Sequence, residues 1–483
     1  MHQKLLFFAR KLFNGGIAPL SKPPQSGVAA FLLFLITFSF LLSPLKVLAH
    51  PYTGYVYMPL NASSAILIEQ STGRVLYAQN PHEPVYPAGL TTLLTALVVL
   101  DFLDPDEVLI VGQEIRNMPT GFATNVHIEN ETITVRMLLK AMLIRGGNES
   151  ARVLALNVVR EYDGRMNIPY MEAKQIFSRL MNRRAVELGA INTNFNNPYG
   201  LHSEQHHTTA YDMALIAQAF LQVPLLAEIV AIRTFEGDSL GDVWHHAPNV
   251  RNYNWTNGNQ MLPDAPHGHP YITGLKVGFT NAAGHNFASS AYHNGLGLIA
   301  VVFDSGDTGR WQDSRRLIDW AFHNFAFRDV TGANETVSNV YIYNPRRGDS
   351  AILDVIASQP HNVLLSNREY AYIERKIEYI FPMENDEGIV MLQAPIADSQ
   401  IIGTAFYLVD GMVIFEAPVV AGREVLLRTF DSDMDYQIAL IRETIFTRRG
   451  LPYWFGVIGT LFGIMGVCFA ISANRRAKRG RWG

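Results

Sequence analysis

Two long apolar segments, one towards each end of the chain, decide where the residues between them can fold. Residues 27–45 carry no charge over about the length that crosses a bilayer, and residues 452–473 form a second apolar segment. Basic residues, and no acidic ones, flank both segments on their outer sides. Because positively charged flanks stay in the cytoplasm, we expect both ends of the chain there and everything between them outside. The flanking residues are Lys4, Arg10, Lys11, Lys22, Arg475, Arg476, Lys478, Arg479 and Arg481.

The ends of the chain therefore divide into short units. Residues 1–49 are predicted to be a basic cytoplasmic segment plus a signal peptide or signal anchor, with a plausible cleavage site at Val47-Leu48-Ala49. Residues 452–473 are predicted to be a transmembrane helix and residues 474–483 a basic cytoplasmic tail. The single cysteine, Cys468, lies in the second apolar segment and excludes an intrachain disulfide.

The part of the chain between the apolar segments is acidic. All 43 acidic residues lie there, whereas ten of the 39 basic residues lie in residues 1–49 and 474–483. The formal net charge of the whole chain, −4, therefore understates how negative this part is. Such a surface argues against a nucleic-acid partner.

Hydrophobic periodicity predicts two domains in this outer part. Residues 55–330 alternate strands with long helical patterns, among them a helix over 173–188 and a buried strand over 296–303. Residues 335–430 contain only short alternating runs, which predict a small β-sandwich. Its predicted strands include residues 337–343, 352–357, 401–409 and 424–427. Residues 431–451 are predicted to link this domain to the membrane.

Three segments carry the features that point to chemistry. Residues 86–95 read Tyr-Pro-Ala-Gly-Leu-Thr-Thr-Leu-Leu-Thr, residues 145–148 read Arg-Gly-Gly-Asn, and residues 273–279 read Thr-Gly-Leu-Lys-Val-Gly-Phe. In order and spacing they resemble the Pro-Ala-Ser-x-Thr-Lys, Ser-Gly-Asn and Lys-Thr-Gly motifs of the serine D-alanyl-D-alanine carboxypeptidases, the low-mass penicillin-binding proteins. The resemblance implies an α/β (α+β) transpeptidase fold of the penicillin-binding-protein and β-lactamase type, in which residues 315–327 resemble the closing helix. A small all-β sandwich domain and a C-terminal transmembrane helix would follow it.

The same resemblance shows that reactive side chains are missing. Gly89 stands at the position of the nucleophilic serine and Thr92 at that of the lysine that takes its proton. A glycine cannot attack, and a threonine hydroxyl is not a base near neutral pH. Gly146 replaces the second serine, and Val277 replaces the threonine that helps to hold the substrate carboxylate. We therefore expect no covalent acyl-enzyme at this site.

Other positions of the motifs are retained and make a substrate-binding set. By the resemblance, Asn148 would orient substrate amides and Lys276 would place positive charge near the substrate's terminal carboxylate. Asn148 near a helix start could equally be a helix cap. Gly278 and Phe279 complete the predicted binding residues, and the backbone N–H groups of Gly89 and Phe279 could form an oxyanion hole without any side chain.

Histidine pairs offer a second chemistry that the sequence does not favour. His202 and His206 have a spacing of four, with His207 adjacent, but a polar surface loop is the favoured interpretation over a metal site. His245, His246, His267 and His269 are likewise interpreted as polar loop residues near a cleft. We predict no metal and no cofactor.

Three functions remain open from the sequence. The first is a catalytically silent family member in a bacterial cell membrane, with its main domains on the extracytoplasmic side. It would bind a peptidoglycan stem peptide or an envelope protein through the old cleft. The second is a working carboxypeptidase with relocated groups, which trims the terminal D-alanine of stem peptides. The third is a structural envelope module whose cleft holds no ligand. Four lost side chains favour the first or third.

Overall fold

The computed structural model describes residues 58–122, 124, 126–241, 248–446 and 451–479. The predictions for residues 1–49, for His245 and His246, and for residues 480–483 lie outside the described residues.

A five-stranded antiparallel sheet in the order β2-β1-β9-β8-β7 forms the centre of the first domain. Its strand β1 alternates between two cores: Ile66 and Ile68 pack on one face, and Ala65 and Leu67 on the other. Every residue of this strand is buried, which explains why its four central residues, 65–68, are all apolar. The strands of the first domain are β1 Ser64–Glu69, β2 Val75–Gln79, β3 Val108–Ile110, β4 Thr132–Thr134, β5 Thr234–Asp238, β6 Asn252–Thr256, β7 Ile272–Thr280, β8 Gly284–His293 and β9 Leu296–Phe303.

Helices cover both faces of that sheet. The larger core contains six helices, and the smaller core is closed by the last helix of the domain, whose Trp311, Leu317 and Ile318 are buried against the sheet. The helices are α1 Thr91–Leu100, α2 Val135–Lys140, α3 Asn148–Asp163, α4 Tyr170–Glu187, α5 Ala210–Leu221, α6 Pro224–Ala231 and α7 Gly309–Asn324. A short 3-10 turn, Ala88–Leu90, precedes α1, and a π turn, Ala141–Arg145, precedes α3.

The predicted closing helix over residues 315–327 was placed too late. Helix α7 ends at Asn324, and Phe325 is extended (φ −122°, ψ 144°). Phe325 begins strand β10 and pairs with Ser366 of a later strand. The helix ends here because Phe325 pairs with a strand that lies far along the chain. Such pairing cannot be predicted from the sequence around residue 325 alone.

The second domain is all-β, as predicted. A seven-stranded mixed sheet in the order β14-β17-β18-β12-β11-β16-β15 and the ribbon β10-β13 share one core. The predicted strand over 424–427 is wrong: Val425 and Leu427 make only isolated bridges, with Ile396 and Pro345. Pro345 has no N–H to extend the ladder. The elements are β10 Phe325–Thr331, β11 Thr336–Tyr343, β12 Ile352–Ala357, β13 His361–Ser366, α8 Asn367–Ala371, β14 Glu374–Tyr379, β15 Met383–Glu384, β16 Val390–Gln393, β17 Ile401–Val409 and β18 Met412–Ala421.

Most of the segment predicted as a linker is helical. Helix α9 spans Phe430–Phe446, and its start is stabilised by Thr429, whose hydroxyl accepts a hydrogen bond from Ser432 N at 3.2 Å. Helix α10, Leu451–Arg479, follows. Within the described residues, Trp454–Ser472 is the one single helix long and apolar enough to cross a membrane.

A buried ion pair joins the two domains. Arg74, which follows the turn of the β1-β2 hairpin, donates to the carboxylate of Glu369 on α8, and its second guanidinium nitrogen donates to Leu364 O at 2.6 Å. Only 9% of each side chain of the pair is exposed. Glu369 also completes a capping box with Ser366 at the start of α8, which holds its carboxylate in place.

Candidate functional site

The turn before α1 is held in one position by a glycine from a distant loop. Ala88 has a left-handed backbone (φ +48°), and Gly200 packs directly on its carbonyl group. A Cβ on Gly200 would lie 1.8 Å from Ala88 O, so only glycine fits there. The loop therefore fixes where Gly89 sits.

Gly89 and Gly278 face each other across the site with no side chain between them. A Cβ on Gly89 would lie 2.9 Å from Val277 O, and a Cβ on Gly278 would lie 2.9 Å from Gly89 N. Both distances are shorter than a carbon atom tolerates, and the atoms concerned belong to the backbone. A side chain at position 89 does not fit unless strand β7 moves.

The hydroxyl of Thr92 is turned into its own helix. Its Oγ1 donates to Gly89 O at 2.7 Å, and the residue is buried. The neighbouring Thr91 donates to Ala88 O at 2.8 Å and contacts His206 Nε2 at 2.9 Å. Both hydroxyl groups therefore stabilise the turn before α1.

Gly146 and Asn148 lie where the π turn passes into α3. Gly146 has a left-handed backbone (φ +81°), in which a serine would be strained. The side chain of Asn148 donates to Phe122 O at 2.8 Å, and α3 has no side-chain cap. Asn148 is therefore not the cap of this helix, and the rest of its amide is left for other partners.

Lys276 points into the protein from strand β7. Its ammonium group donates to Met142 O at 3.0 Å and Leu143 O at 2.8 Å, and only 5% of the residue is exposed. Burial lowers the pKa of Lys276 to about 7. Among the described residues no carboxylate pairs with it.

The eight predicted site residues line one cleft of about 190 Å³. They come from the turn before α1, the start of α3 and strand β7, which the fold brings together. The cleft is smaller than the roughly 300–1,000 Å³ of pockets that enclose drug-sized ligands, so it can hold the end of a peptide but not a long one. Its lining residues are Gly89, Thr92, Phe122, Ile144, Arg145, Gly146, Asn148, Tyr199, Gly200, Gly258, Lys276, Val277, Gly278, Phe279 and Thr280.

Comparison with known proteins identifies the fold and the family. The family profile for D-alanyl-D-alanine carboxypeptidase matches residues 55–307, just over half of the chain, and that for the C-terminal domain of penicillin-binding protein 5 matches residues 325–426. The chain belongs to the D-alanyl-D-alanine carboxypeptidase family. The predicted family and fold are confirmed.

Individual relatives agree with this membership. The carboxypeptidase DacF of Bacillus subtilis is 28% identical over 74% of this chain and 85% of its own. A D-alanyl-D-alanine endopeptidase of Pseudomonas aeruginosa is 31% identical over 54% of this chain and 77% of its own. The crystal structure of penicillin-binding protein 5 from Haemophilus influenzae matches 77% of this chain and all of its own, with 25% identity and a TM-score of 0.55.

A buried network near the cleft was not predicted from the sequence. Ser150 Oγ lies 2.7 Å from His127 Nε2, and His127 Nδ1 lies 3.3 Å from Glu131 Oε2. This order resembles a nucleophile, base and carboxylate, but the three side chains are buried and do not line the cleft. Burial alone would raise the pKa of Glu131, yet hydrogen bonds from His127 and Tyr253 hold it below its usual value. The group stabilises the fold around α3.

The interpretation of His206 as a polar surface residue is wrong. His206 is buried, stacked on Phe195, and hydrogen-bonded to Thr91 and the backbone of Asn196. Burial lowers its pKa to about 3, so the ring is neutral. The 202–207 loop reaches the core because Thr208 pairs with Val85.

The pKa of Lys276 predicts a pH-dependent stability. An unfolded chain keeps this lysine protonated to about pH 10.4, whereas the folded protein loses the proton near pH 7. The unfolded state therefore binds more protons between these values, and the free energy of unfolding rises with pH across that window. We expect wild type to gain about 4 kcal/mol relative to Lys276→Met between pH 7 and pH 10, measured by urea unfolding. Parallel pH profiles for the two proteins would contradict this.

Restoring the two reactive side chains should not restore the chemistry. The double variant Gly89→Ser with Thr92→Lys places a Cβ 2.9 Å from Val277 O. We expect a loss of about 1–3 kcal/mol in unfolding free energy from overpacking, and no covalent adduct with a fluorescent penicillin by intact mass. Thr92→Lys alone is the matched control, since it adds the amine without the clash. A double variant that is as stable as wild type and is acylated would show that β7 yields easily.

Proposed function

We propose that this protein is a non-cleaving member of its family, which binds the end of a peptidoglycan stem peptide in the cleft outside the cytoplasmic membrane. The observation that carries the proposal is the close contact of Gly89 and Gly278. It leaves no nucleophile at position 89 and no room for one. The remaining candidate hydroxyl groups of this turn are hydrogen-bonded to carbonyl groups.

The retained features support binding. Asn148, Lys276, Gly278 and Phe279 still line the cleft, and Asn148 keeps an amide oxygen that no hydrogen bond in the described residues uses. Phe279 is 53% exposed at the cleft, and its ring packs against His285. An exposed aromatic ring beside amide groups is suited to the backbone and methyl groups of a short peptide.

The membrane arrangement belongs to the same proposal. Helix α10 would anchor the protein in a bacterial cytoplasmic membrane, with both domains outside and the basic tail inside. The cleft would then face the cell wall, where stem peptides are found. The alternative occupant of the same cleft is an envelope protein.

The direct test is a binding and turnover measurement on one sample. The full chain in detergent is titrated calorimetrically with L-Ala-γ-D-Glu-L-Lys-D-Ala-D-Ala, and released D-alanine is then assayed. We expect heat of binding and no release. A peptide ending in L-Ala-L-Ala is the matched control for stereochemistry and should bind more weakly. Released D-alanine would contradict the proposal that the protein does not cleave the peptide. Equal binding of both peptides, or no binding of either, would contradict the proposal that a stem peptide is the ligand.

A further inference from the structure

The cation at the mouth of the cleft is an arginine that the family motifs do not include. Arg145 ends the π turn, directly before Gly146, and is exposed. We propose that Arg145, and not Lys276, recognises the C-terminal carboxylate of the peptide that this cleft binds. This inference rests on the proposed function and assigns the residue that determines specificity for a free carboxyl end.

Lys276 uses most of its hydrogen-bonding capacity within the protein. Its ammonium group donates to the carbonyl oxygens of Met142 and Leu143 in the π turn. A Cβ on Gly146 would lie 3.9 Å from its nitrogen, so Lys276 sits just behind the turn that carries Arg145 on its outer side. Two of the three N–H donors of the ammonium group are used by these carbonyls, so Lys276 has at most one donor left for a ligand carboxylate.

Arg145 is free to bind. In the part of the chain that the structure describes, no hydrogen bond, ion pair or ring contact involves its guanidinium group. A guanidinium group stays charged at every physiological pH and presents paired donors that match the two oxygens of a carboxylate. It therefore offers what Lys276 does not.

The charge of the cleft favours an anionic ligand. Two basic residues and no acidic one are found among the described residues that line it. This contrasts with the acidic character of the chain between its apolar segments, where all 43 carboxylates lie. Asn148, which lines the same cleft, supplies an amide for the last peptide bond of a ligand whose carboxylate reaches Arg145.

The experiment compares one peptide in two forms. N-terminally fluorescein-labelled L-Ala-γ-D-Glu-L-Lys-D-Ala-D-Ala, as the free acid and as the C-terminal amide, is titrated with the full chain in detergent by fluorescence anisotropy. The proteins are wild type, Arg145→Gln, Lys276→Met and Arg183→Gln. Arg183 is an exposed arginine on α4 outside the cleft and controls for the loss of one charge.

We expect wild type to bind the acid about tenfold more tightly than the amide. Arg145→Gln should reduce that ratio to near one, while Arg183→Gln keeps it. If wild type binds both forms equally, the assignment of Arg145 is overturned while peptide binding stands. A ratio that persists in Arg145→Gln but is lost in Lys276→Met also overturns it. If neither form binds, the proposed function fails, and this inference with it.

Discussion

Replacing Gly200 with alanine should lower the free energy of unfolding by about 3–5 kcal/mol. The new methyl carbon would lie 1.8 Å from Ala88 O, and φ of +85° is itself strained for alanine. The left-handed backbone costs about 1 kcal/mol, and the clash with a backbone oxygen adds several more. Because Ala88 precedes Gly89, the displaced turn should also open or distort the cleft. Urea unfolding followed by tryptophan fluorescence measures the stability.

Gly295→Ala is the matched control for that substitution. Gly295 has nearly the same backbone angle, φ +82°, but no atom lies within 4 Å of the position that an alanine methyl group would take there. The free energy of unfolding of Gly295→Ala should therefore fall only by the cost of the left-handed backbone, about 1 kcal/mol. If both variants lose the same amount, the contact between Gly200 and Ala88 does not hold the turn.

Breaking the ion pair between the domains should have a comparable effect. Arg74→Ala leaves the carboxylate of Glu369 buried without its cation and removes the donor to Leu364 O. Removing one partner of a buried pair costs about 3–5 kcal/mol. We expect thermal unfolding at a lower temperature, with the all-β domain no longer melting together with the first domain.

An exposed pair on the same helix provides the comparison. Arg368 on α8 pairs with Asp410 at 2.8 Å, but both side chains are more than half exposed. Arg368→Ala should therefore change stability by less than about 1 kcal/mol. The double variant Arg74→Met with Glu369→Leu should recover most of the loss, because it removes both charges together. If the double variant does not recover this stability, Glu369 contributes mainly through the capping box of α8 and not through the ion pair.

The motifs were enough to predict the family and which residues would meet at the cleft, because their order along the chain places them on the turn, α3 and β7. The distance between Gly89 and Gly278 was not predictable. A missing serine is visible in the sequence. The close approach of two backbones depends instead on how strand β7 packs against the loop that carries Gly200. Arg145 was missed for a related reason: as an exposed residue next to a motif it carries no periodic or compositional signal.

The fate of Lys276 also required the structure. Its position in the motif predicted a charge directed at the ligand, whereas the structure directs the ammonium group to the carbonyls of the π turn. A π turn has no clear sequence signature, and it is this turn that brings Met142 O and Leu143 O within reach. Helix α9 and the end of α7 were missed because caps and long-range ladders, not hydrophobic period, set their bounds.

The most direct measurement is the intact mass of the full chain after prolonged incubation with a fluorescent penicillin, beside an active carboxypeptidase of the family. A protein with no nucleophile at position 89, and no space for one, should keep its mass unchanged and carry no fluorescence while the active relative is fully labelled. A stoichiometric adduct on any residue of the cleft would contradict the proposal that this protein performs no acyl-transfer chemistry.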